Sequence, residues 1–278
     1  MNYKNFNFIV GILFLILQSG AGLCADDSNL NLNLKIFEKG KKIKKQSLEH
    51  EQSVSLAKKD LAIARKKFGE NHPKTAEALN NLGYSLFVFG EFTEAEPLLK
   101  KAIDIWNKDI GNKSDDIYTA IINLGNLYKE IGRYDESESL LKIAHDFNER
   151  SFGKTHKDTA STFSYLSLLY IKQGRFQEAK KYAYQTLKIH EDIYGYRHLN
   201  LATPINNLAS IYEELGGYKK AEELYLRALS IREAAKESQD FLKLAANLNN
   251  LGSLYTKQGE YLKAKKTLNR ALDIYQRI

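Results

Sequence analysis

The chain has 278 residues, with 41 Lys and Arg against 34 Asp and Glu, for a formal net charge of +7. An apolar fraction of 43% with both charge signs interspersed excludes a disordered chain. A single cysteine excludes an intrachain disulfide framework and a multi-cysteine metal cluster, and only three prolines leave long stretches free to be helical. Composition therefore indicates a folded, largely helical protein.

The N-terminus has the pattern of a secretory signal peptide over residues 1–25. Lys4 precedes an unbroken apolar run at 8–17, and small residues follow the run. Ten apolar residues are half of the roughly 20 that a transmembrane helix needs. The pattern predicts cleavage after Gly22 or Ala25, export to the periplasm or secretion, and no stable membrane insertion of the mature chain. A retained membrane anchor is the alternative.

Cys24 offers a lesser alternative, because bacterial lipoproteins are acylated on a cysteine just after such a run. That motif places leucine three residues before the cysteine and small residues between them. Here Ala21 stands three residues before Cys24, and the bulky Leu23 stands directly before it. We therefore interpret the protein as exported rather than lipid-anchored.

Glycines recur along the chain at intervals of 42 residues, with one residue inserted before the last unit. One series is Gly90, Gly132, Gly174 and Gly216, and the other is Gly69, Gly111, Gly153 and Gly195. Internal repetition at such a period indicates a solenoid. The 42-residue period divides the chain into a basic lead-in at 26–47, a degenerate half-repeat at 48–71, and five units. We expect the lead-in to be partly disordered or helical. Units 1 to 5 span 72–113, 114–155, 156–197, 198–240 and 241–278.

Each unit predicts two amphipathic helices, a first and a second helix. In unit 2 the apolar positions follow the helical period up to Gly132, which ends the first helix, and Gly153 ends the second. Small residues recur at one position of each helix and predict a close approach of the pair. They are Gly83, Gly125, Ser167, Ala209 and Gly252 in the first helices, and Ala95, Ser137, Ala179, Ala221 and Ala264 in the second.

The pattern Leu124-Gly125, Tyr128, Gly132, Tyr134 with small residues at Ser137 and Ala144 resembles the tetratricopeptide repeat (TPR). The 42-residue period, and wording such as HPKTAEALNNLGYSLFVFGEFTEAEPLLKKAIDIW, look like the subtype of kinesin light chains. The resemblance covers residues 72–278. It implies an all-α fold, a right-handed α-solenoid of stacked helical hairpins (a TPR superhelix). It also implies a non-enzymatic protein–protein interaction scaffold that binds a peptide or protein segment in its concave groove.

We find no catalytic or metal-binding arrangement in the sequence. His72, His156 and His198 occupy the same loop position in three units, and successive loops of a stack do not converge on one ion. Acidic residues such as Glu96 and Glu138 recur where second helices start, where they complement the helix dipole. We therefore expect no enzyme, no metal and no cofactor.

The first helices of stacked hairpins line the concave side, and a step of 100° per residue from the core face gives the residues opposite it. The first set is a row of asparagines that either clamps a peptide backbone or bonds to the neighbouring unit. The resemblance supports binding by this row. The row is Asn81, Asn123, Asn207 and Asn250, interrupted by Tyr165.

The second set is apolar and is predicted to be exposed, as anchor sites for partner side chains, with partial burial between units as the alternative. Its members are Tyr84, Phe87, Val88, Ile122, Tyr165, Leu168 and Ile171, with Asn126 on the same face. A structural function is the alternative to protein binding. If the last helix is uncapped at Ile278, its apolar face would drive self-association into a homo-oligomer.

The net charge belongs to one segment. Residues 35–67 hold 11 basic residues against 4 acidic ones, whereas residues 68–278 hold 29 against 28. A neutral repeat array argues against a nucleic-acid partner. The basic segment is interpreted as a solvated helix face, and attachment to an anionic membrane surface or an acidic partner is the alternative.

Overall fold

The computed structural model describes residues 50–108, 115–235 and 241–277, of which 87% are helical. Two compact units divide the chain, at 1–55 and 56–278, and the second contains the repeats. The signal peptide, the basic lead-in and Ile278 lie outside the described residues. The described residues form eleven α-helices, with no strand between them. They are α1 (described over 50–68), α2 (Pro73–Val88), α3 (Phe92–Lys108), α4 (Asp115–Glu130), α5 (Tyr134–Phe152), α6 (Lys157–Lys172), α7 (Phe176–Tyr194), α8 (Ala202–Glu214), α9 (Tyr218–Ala234), α10 (Phe241–Lys257) and α11 (Tyr261–Arg277).

The helices pair into five antiparallel hairpins, from α2 with α3 to α10 with α11, and each hairpin packs on the next. A continuous apolar core runs from Ile122 to Ala271 through successive hairpins. The predicted all-α solenoid of stacked helical hairpins is thus confirmed. Within the described ranges, no helix is long and apolar enough to cross a membrane.

Two kinds of residue set the ends of the helices. Gly132 and Gly174 have φ angles of 83° and 72°, in the left-handed region that glycine adopts without steric cost, and each follows a first helix as the period predicts. Histidines cap the starts of first helices: His72 caps α2, His156 caps α6, and His198 caps a short 3₁₀ turn at Leu199–Leu201 that leads into α8. The Nδ1 atoms of His72, His156 and His198 accept hydrogen bonds from the backbone N–H two residues later, at 3.1–3.3 Å.

Each of these imidazoles also stacks on the aromatic residue four positions earlier. The pairs are His72 with Phe68, His156 with Phe152 and His198 with Tyr194, with ring centroids 4.8–4.9 Å apart. The histidine period therefore has a structural cause, which is to join the end of one hairpin to the start of the next. Among the described residues, no group of three or more His, Cys, Asp or Glu could hold a metal ion.

The predicted close approach of paired helices is confirmed. A Cβ atom added at Gly125 would lie 3.2 Å from Leu141 Cδ2, and one at Gly83 would lie 2.8 Å from Leu99 Cγ. Ser137, in α5, uses this proximity directly, because its Oγ donates a hydrogen bond to the carbonyl of Gly125 at 2.7 Å. The small residues therefore set the distance between the two helices of a hairpin.

Acidic residues at the starts of second helices do more than complement the helix dipole. Tyr128 donates its O–H to Glu96 Oε1 at 2.9 Å, and Arg133 donates to the same oxygen at 2.8 Å. The Arg133 guanidinium also lies 4.0 Å from the centroid of the Tyr128 ring. Tyr170, Glu138 and Arg175 repeat the arrangement one unit later, and Tyr255 bonds Glu222 in the last hairpin.

This cluster perturbs Glu96 strongly. Hydrogen bonds from Lys100, Arg133 and Tyr128 lower the pKa of Glu96 to about 2, against the opposing effect of burial. Since Glu96 belongs to α3, whereas Tyr128 and Arg133 belong to the next hairpin, the carboxylate joins two units. The interpretation of these acids as dipole partners alone was therefore incomplete.

Candidate functional site

We call the face of the first helices that points away from the second helices the groove face. In unit 1 it presents large apolar groups to solvent, because Tyr84 is 49% exposed and Val88 is 53% exposed. Phe87 is half-buried between Tyr84 and Phe92, with ring centroids 6.3 and 6.0 Å away. Asn81 is exposed beside them. Unit 1 therefore offers a ready apolar contact surface.

In unit 3 the apolar residues of the groove face are half-buried. Tyr165 and Ile171 pack against the core, and Leu168 lies between them in the sequence with similar exposure. Burial raises the pKa of Tyr165, and the phenol of Tyr84 raises it further. The phenol of Tyr84 in unit 1 thus influences the phenol of Tyr165 in unit 3 electrostatically.

The predicted exposure of Ile122 was wrong. Ile122 is 5% exposed and belongs to the apolar core. Its equivalent in unit 1, Asn80, is buried too. A rotation of 100° per residue considers one helix in isolation, whereas this position is buried in units 1 and 2 and becomes exposed only at Asn249 in unit 5. Of the six other members of the apolar set, Phe87 also contacts Phe92 of the second helix α3.

The asparagine row divides between the two roles that the sequence left open. Asn123 is buried and donates from Nδ2 to Asn80 Oδ1 at 3.0 Å, and Asn250 donates to Asn206 Oδ1 at 3.4 Å. These two amides thus bond to the neighbouring unit. Asn81 is exposed and Asn207 is half-buried, so they are the members of the row best placed for a ligand.

Charged groups along the groove face neutralise one another between units. Lys172 Nζ donates to Glu130 Oε2 at 3.2 Å, and Lys257 Nζ donates to Glu214 Oε1 at 3.2 Å. Within unit 2, Lys129 Nζ donates to the half-buried Asn126 at 3.2 Å. The charge at this repeat position alternates from unit 2 to unit 5, through Glu130, Lys172, Glu214 and Lys257. The alternation is visible only when the units are aligned. A ligand of this face therefore meets compensated charges and apolar surface.

Tyr118 is a residue near the groove that the sequence reasoning missed. The equivalent position is alanine in units 1, 3, 4 and 5, so a tyrosine there is a departure from the repeat. Burial raises the pKa of Tyr118 to about 12, and its ring stacks on Phe147 with centroids 6.1 Å apart. Electrostatic interaction with Tyr165 also raises the pKa of Tyr118. The phenols of Tyr84, Tyr118 and Tyr165, from units 1 to 3, are thus coupled electrostatically.

Comparison with known proteins agrees with this architecture. The family model of the tetratricopeptide repeat matches residues 44–108, 116–192, 158–234 and 245–277. Among curated proteins, none matches the chain significantly.

Solved structures share the fold at low sequence identity. BtubC (BKLC) from P. vanneervenii is 22% identical, with a TM-score of 0.67 over 82% of this chain and 91% of that one. A putative kinesin light chain of P. anserina with nearly identical TPR-like repeats is 21% identical, with a TM-score of 0.60 over 74% and 97%. A Rap protein complexed with Competence and Sporulation Factor is 13% identical, with a TM-score of 0.54 over 84% and 72%.

Proposed function

The chain belongs to the tetratricopeptide repeat family, and from that premise we propose that it is a non-enzymatic scaffold that binds a protein segment on its groove face. Proteins of this family generally mediate protein–protein interactions on a fold that is generally non-catalytic. The observation that carries the proposal is the exposure of Tyr84 and Val88, two large apolar side chains one turn apart on α2, because large exposed apolar groups that cluster usually mark a binding surface.

The chemistry of the groove face defines the segment it suits. Apolar or aromatic side chains of the ligand would rest on Tyr84 and Val88 in unit 1 and on Leu168 in unit 3. The amides of Asn81 and Asn207 can donate to and accept from a ligand backbone. Since the lysines and glutamates here are paired between units, a ligand of low net charge would disturb the array least.

A capture experiment with matched variants tests this proposal. The double substitution of Tyr165→Ala with Leu168→Ala should abolish partner capture by the mature chain from its own compartment. Tyr184→Ala with Leu226→Ala is the control, because it removes the same residue types from exposed positions on the second helices α7 and α9. Circular dichroism should show equal helical content in both. Equal capture by both variants would place the binding surface elsewhere.

A structural function remains the second candidate, and one observation favours it. Leu272 of α11 is 52% exposed, whereas its equivalent in α9, Leu229, is 8% exposed. Leu229 belongs to the apolar core, so Leu272 offers an exposed apolar surface that a helix of a second copy could cover. Light scattering after size exclusion should then report a dimer that Leu272→Glu converts to a monomer, whereas a wild-type monomer at all concentrations would argue against assembly.

We also propose export of the mature chain, on the basis of Lys4 and the apolar run at 8–17. Cell fractionation with N-terminal sequencing of the native protein tests it. A mature N-terminus after Gly22 or Ala25 is the expected result. A full-length cytoplasmic chain would contradict export, and an acylated Cys24 would show lipid anchoring instead.

A further inference from the structure

A cavity opens between α1, α2 and α3. Its volume is about 620 Å³. Leu82 and Leu86 of α2 form an apolar floor and are buried. Lys58 and Arg65 stand on the α1 side, and Glu94 stands on the α3 side. None of these residues takes part in the proposed groove contacts, so the cavity is separate from the groove.

Alignment of the units shows why this interface is open. The position of Leu86 is tyrosine in every later unit, namely Tyr128, Tyr170, Tyr212 and Tyr255. Tyr128, Tyr170 and Tyr255 are buried, with the phenol at the junction with the preceding second helix. Leucine is shorter than tyrosine and has no hydroxyl group. The first interface therefore lacks the phenol that the later ones contain.

The surroundings of the missing phenol are retained in part. Lys58 is the equivalent of Lys100, whose Nζ lies 5.8 Å from the centroid of the Tyr128 ring. An ammonium group over an aromatic face is attracted by the negative potential of the ring. The acceptor is not retained, because the position of Glu96 is Val54 in α1; the carboxylate of Glu94, on α3, lines the cavity and offers an acceptor from the other side. The cavity thus combines an apolar floor, a cation and an acceptor around a space large enough to admit an aromatic ring.

We propose that this cavity receives a tyrosine side chain from a partner protein, as a second binding site of the scaffold. The ring would rest on Leu82 and Leu86, the ammonium of Lys58 would approach its face, and Glu94 would accept the phenol hydrogen bond. In effect the partner supplies the side chain that the other four hairpins supply from within the chain. The groove can be inactivated without affecting this site, so the two proposals fail independently.

Methyl-labelled NMR on the full chain tests the site with a defined probe. The probe is the acetylated and amidated pentapeptide GSYSG, and the controls are GSLSG and GSASG. We expect saturable shifts of the Leu61, Leu82 and Leu86 methyl signals, with a Kd on the order of 1 mM for so small a ligand. The leucine peptide should bind several-fold more weakly, and the alanine peptide should give no saturable shift.

Substitutions then separate the cavity from other surfaces. Ala62→Trp fills the cavity from an exposed position on α1 and should weaken tyrosine-peptide binding at least tenfold without unfolding the array. Lys58→Met should weaken it about two- to fivefold through loss of the cation. Leu86→Tyr, which restores the repeat residue, should also block the peptide.

Two results would overturn the proposal. The first is an absence of shifts at the cavity leucines, and the second is full binding by Ala62→Trp. The Tyr165→Ala and Leu168→Ala variant should bind the tyrosine peptide as wild type does.

Discussion

Replacement of Gly125 by leucine tests how the paired helices of a hairpin approach each other. A Cβ atom at this position would lie 3.2 Å from Leu141 Cδ2, 3.4 Å from Leu141 Cγ and 3.6 Å from Leu140 Cβ. Leucine adds three further carbons beyond that atom, toward a side chain, Leu141, that is fully buried. The substitution therefore forces Leu141 or the helix axis to move.

Two opposing terms set the size of the effect. Leucine in place of glycine gains about 0.8 kcal/mol of helix propensity, whereas overpacking of a filled core costs about 1–3 kcal/mol and more where the backbone must shift. Because the fully buried Leu141 must move, the upper end of the overpacking range applies, and we expect a net loss of about 2 kcal/mol. For an array of this size, that corresponds to about 4–8 °C in the thermal midpoint. Circular dichroism at 222 nm during heating measures it.

Matched substitutions separate overpacking from other causes. Gly125→Ala should stay within about 1 kcal/mol of wild type, because a 3.2 Å contact needs only a small shift and alanine gains helix propensity. Gly83→Ala should be less stable than Gly125→Ala, since its Cβ would lie 2.8 Å from the buried Leu99 Cγ. Ser253→Leu, on the exposed side of α10, is the control for added apolar bulk. An unchanged midpoint in Gly125→Leu would refute the close-approach reasoning.

Two further predictions concern the contacts between hairpins. His156→Ala should cost about 1 kcal/mol in urea denaturation because it removes the cap of α6, whereas His156→Asn should keep the cap and most of the stability; equal losses would show that the cap is not the source. Because the pKa of Glu96 is lowered to about 2, its stabilising contribution is complete above pH about 4.5 and is lost as the pH falls toward 2. Glu96→Gln should therefore lower stability by about 1–2 kcal/mol at pH 7, after allowance for partial exposure, and the difference should vanish near pH 2. A pH-independent difference would contradict this role of the carboxylate.

The sequence predicts the hairpin architecture well, because its signals are local and repeated. Gly132 and Gly174 end first helices in the left-handed backbone conformation, which costs other residue types free energy. Glycine therefore recurs at this position, and its period is visible in the sequence. The small residues at Gly125 and Ser137 follow the same logic, since close helix packing requires them at one position in every unit.

Contacts between units were harder to predict. The Tyr128–Glu96 hydrogen bond joins residues 32 positions apart, and its repetition is visible only after the units are aligned. Ile122 was misplaced because the exposure of a first-helix residue depends on the adjacent hairpins as well as on its own helix. Tyr118 was missed because unit 2 departs from the repeat there, where the other units carry alanine, and periodicity points only to residues that recur.

Site-specific photo-crosslinking tests most directly the central claim, that a protein segment binds on the groove face. The photoreactive residue p-benzoylphenylalanine replaces Val88 in one variant and Tyr184 in the other, since both positions are more than half exposed but only Val88 lies on the groove face. Illumination of the mature protein in its own compartment should give a discrete crosslinked partner from position 88, and none from position 184. The same partner crosslinked equally from both positions, or from position 184 alone, would contradict binding on the groove face.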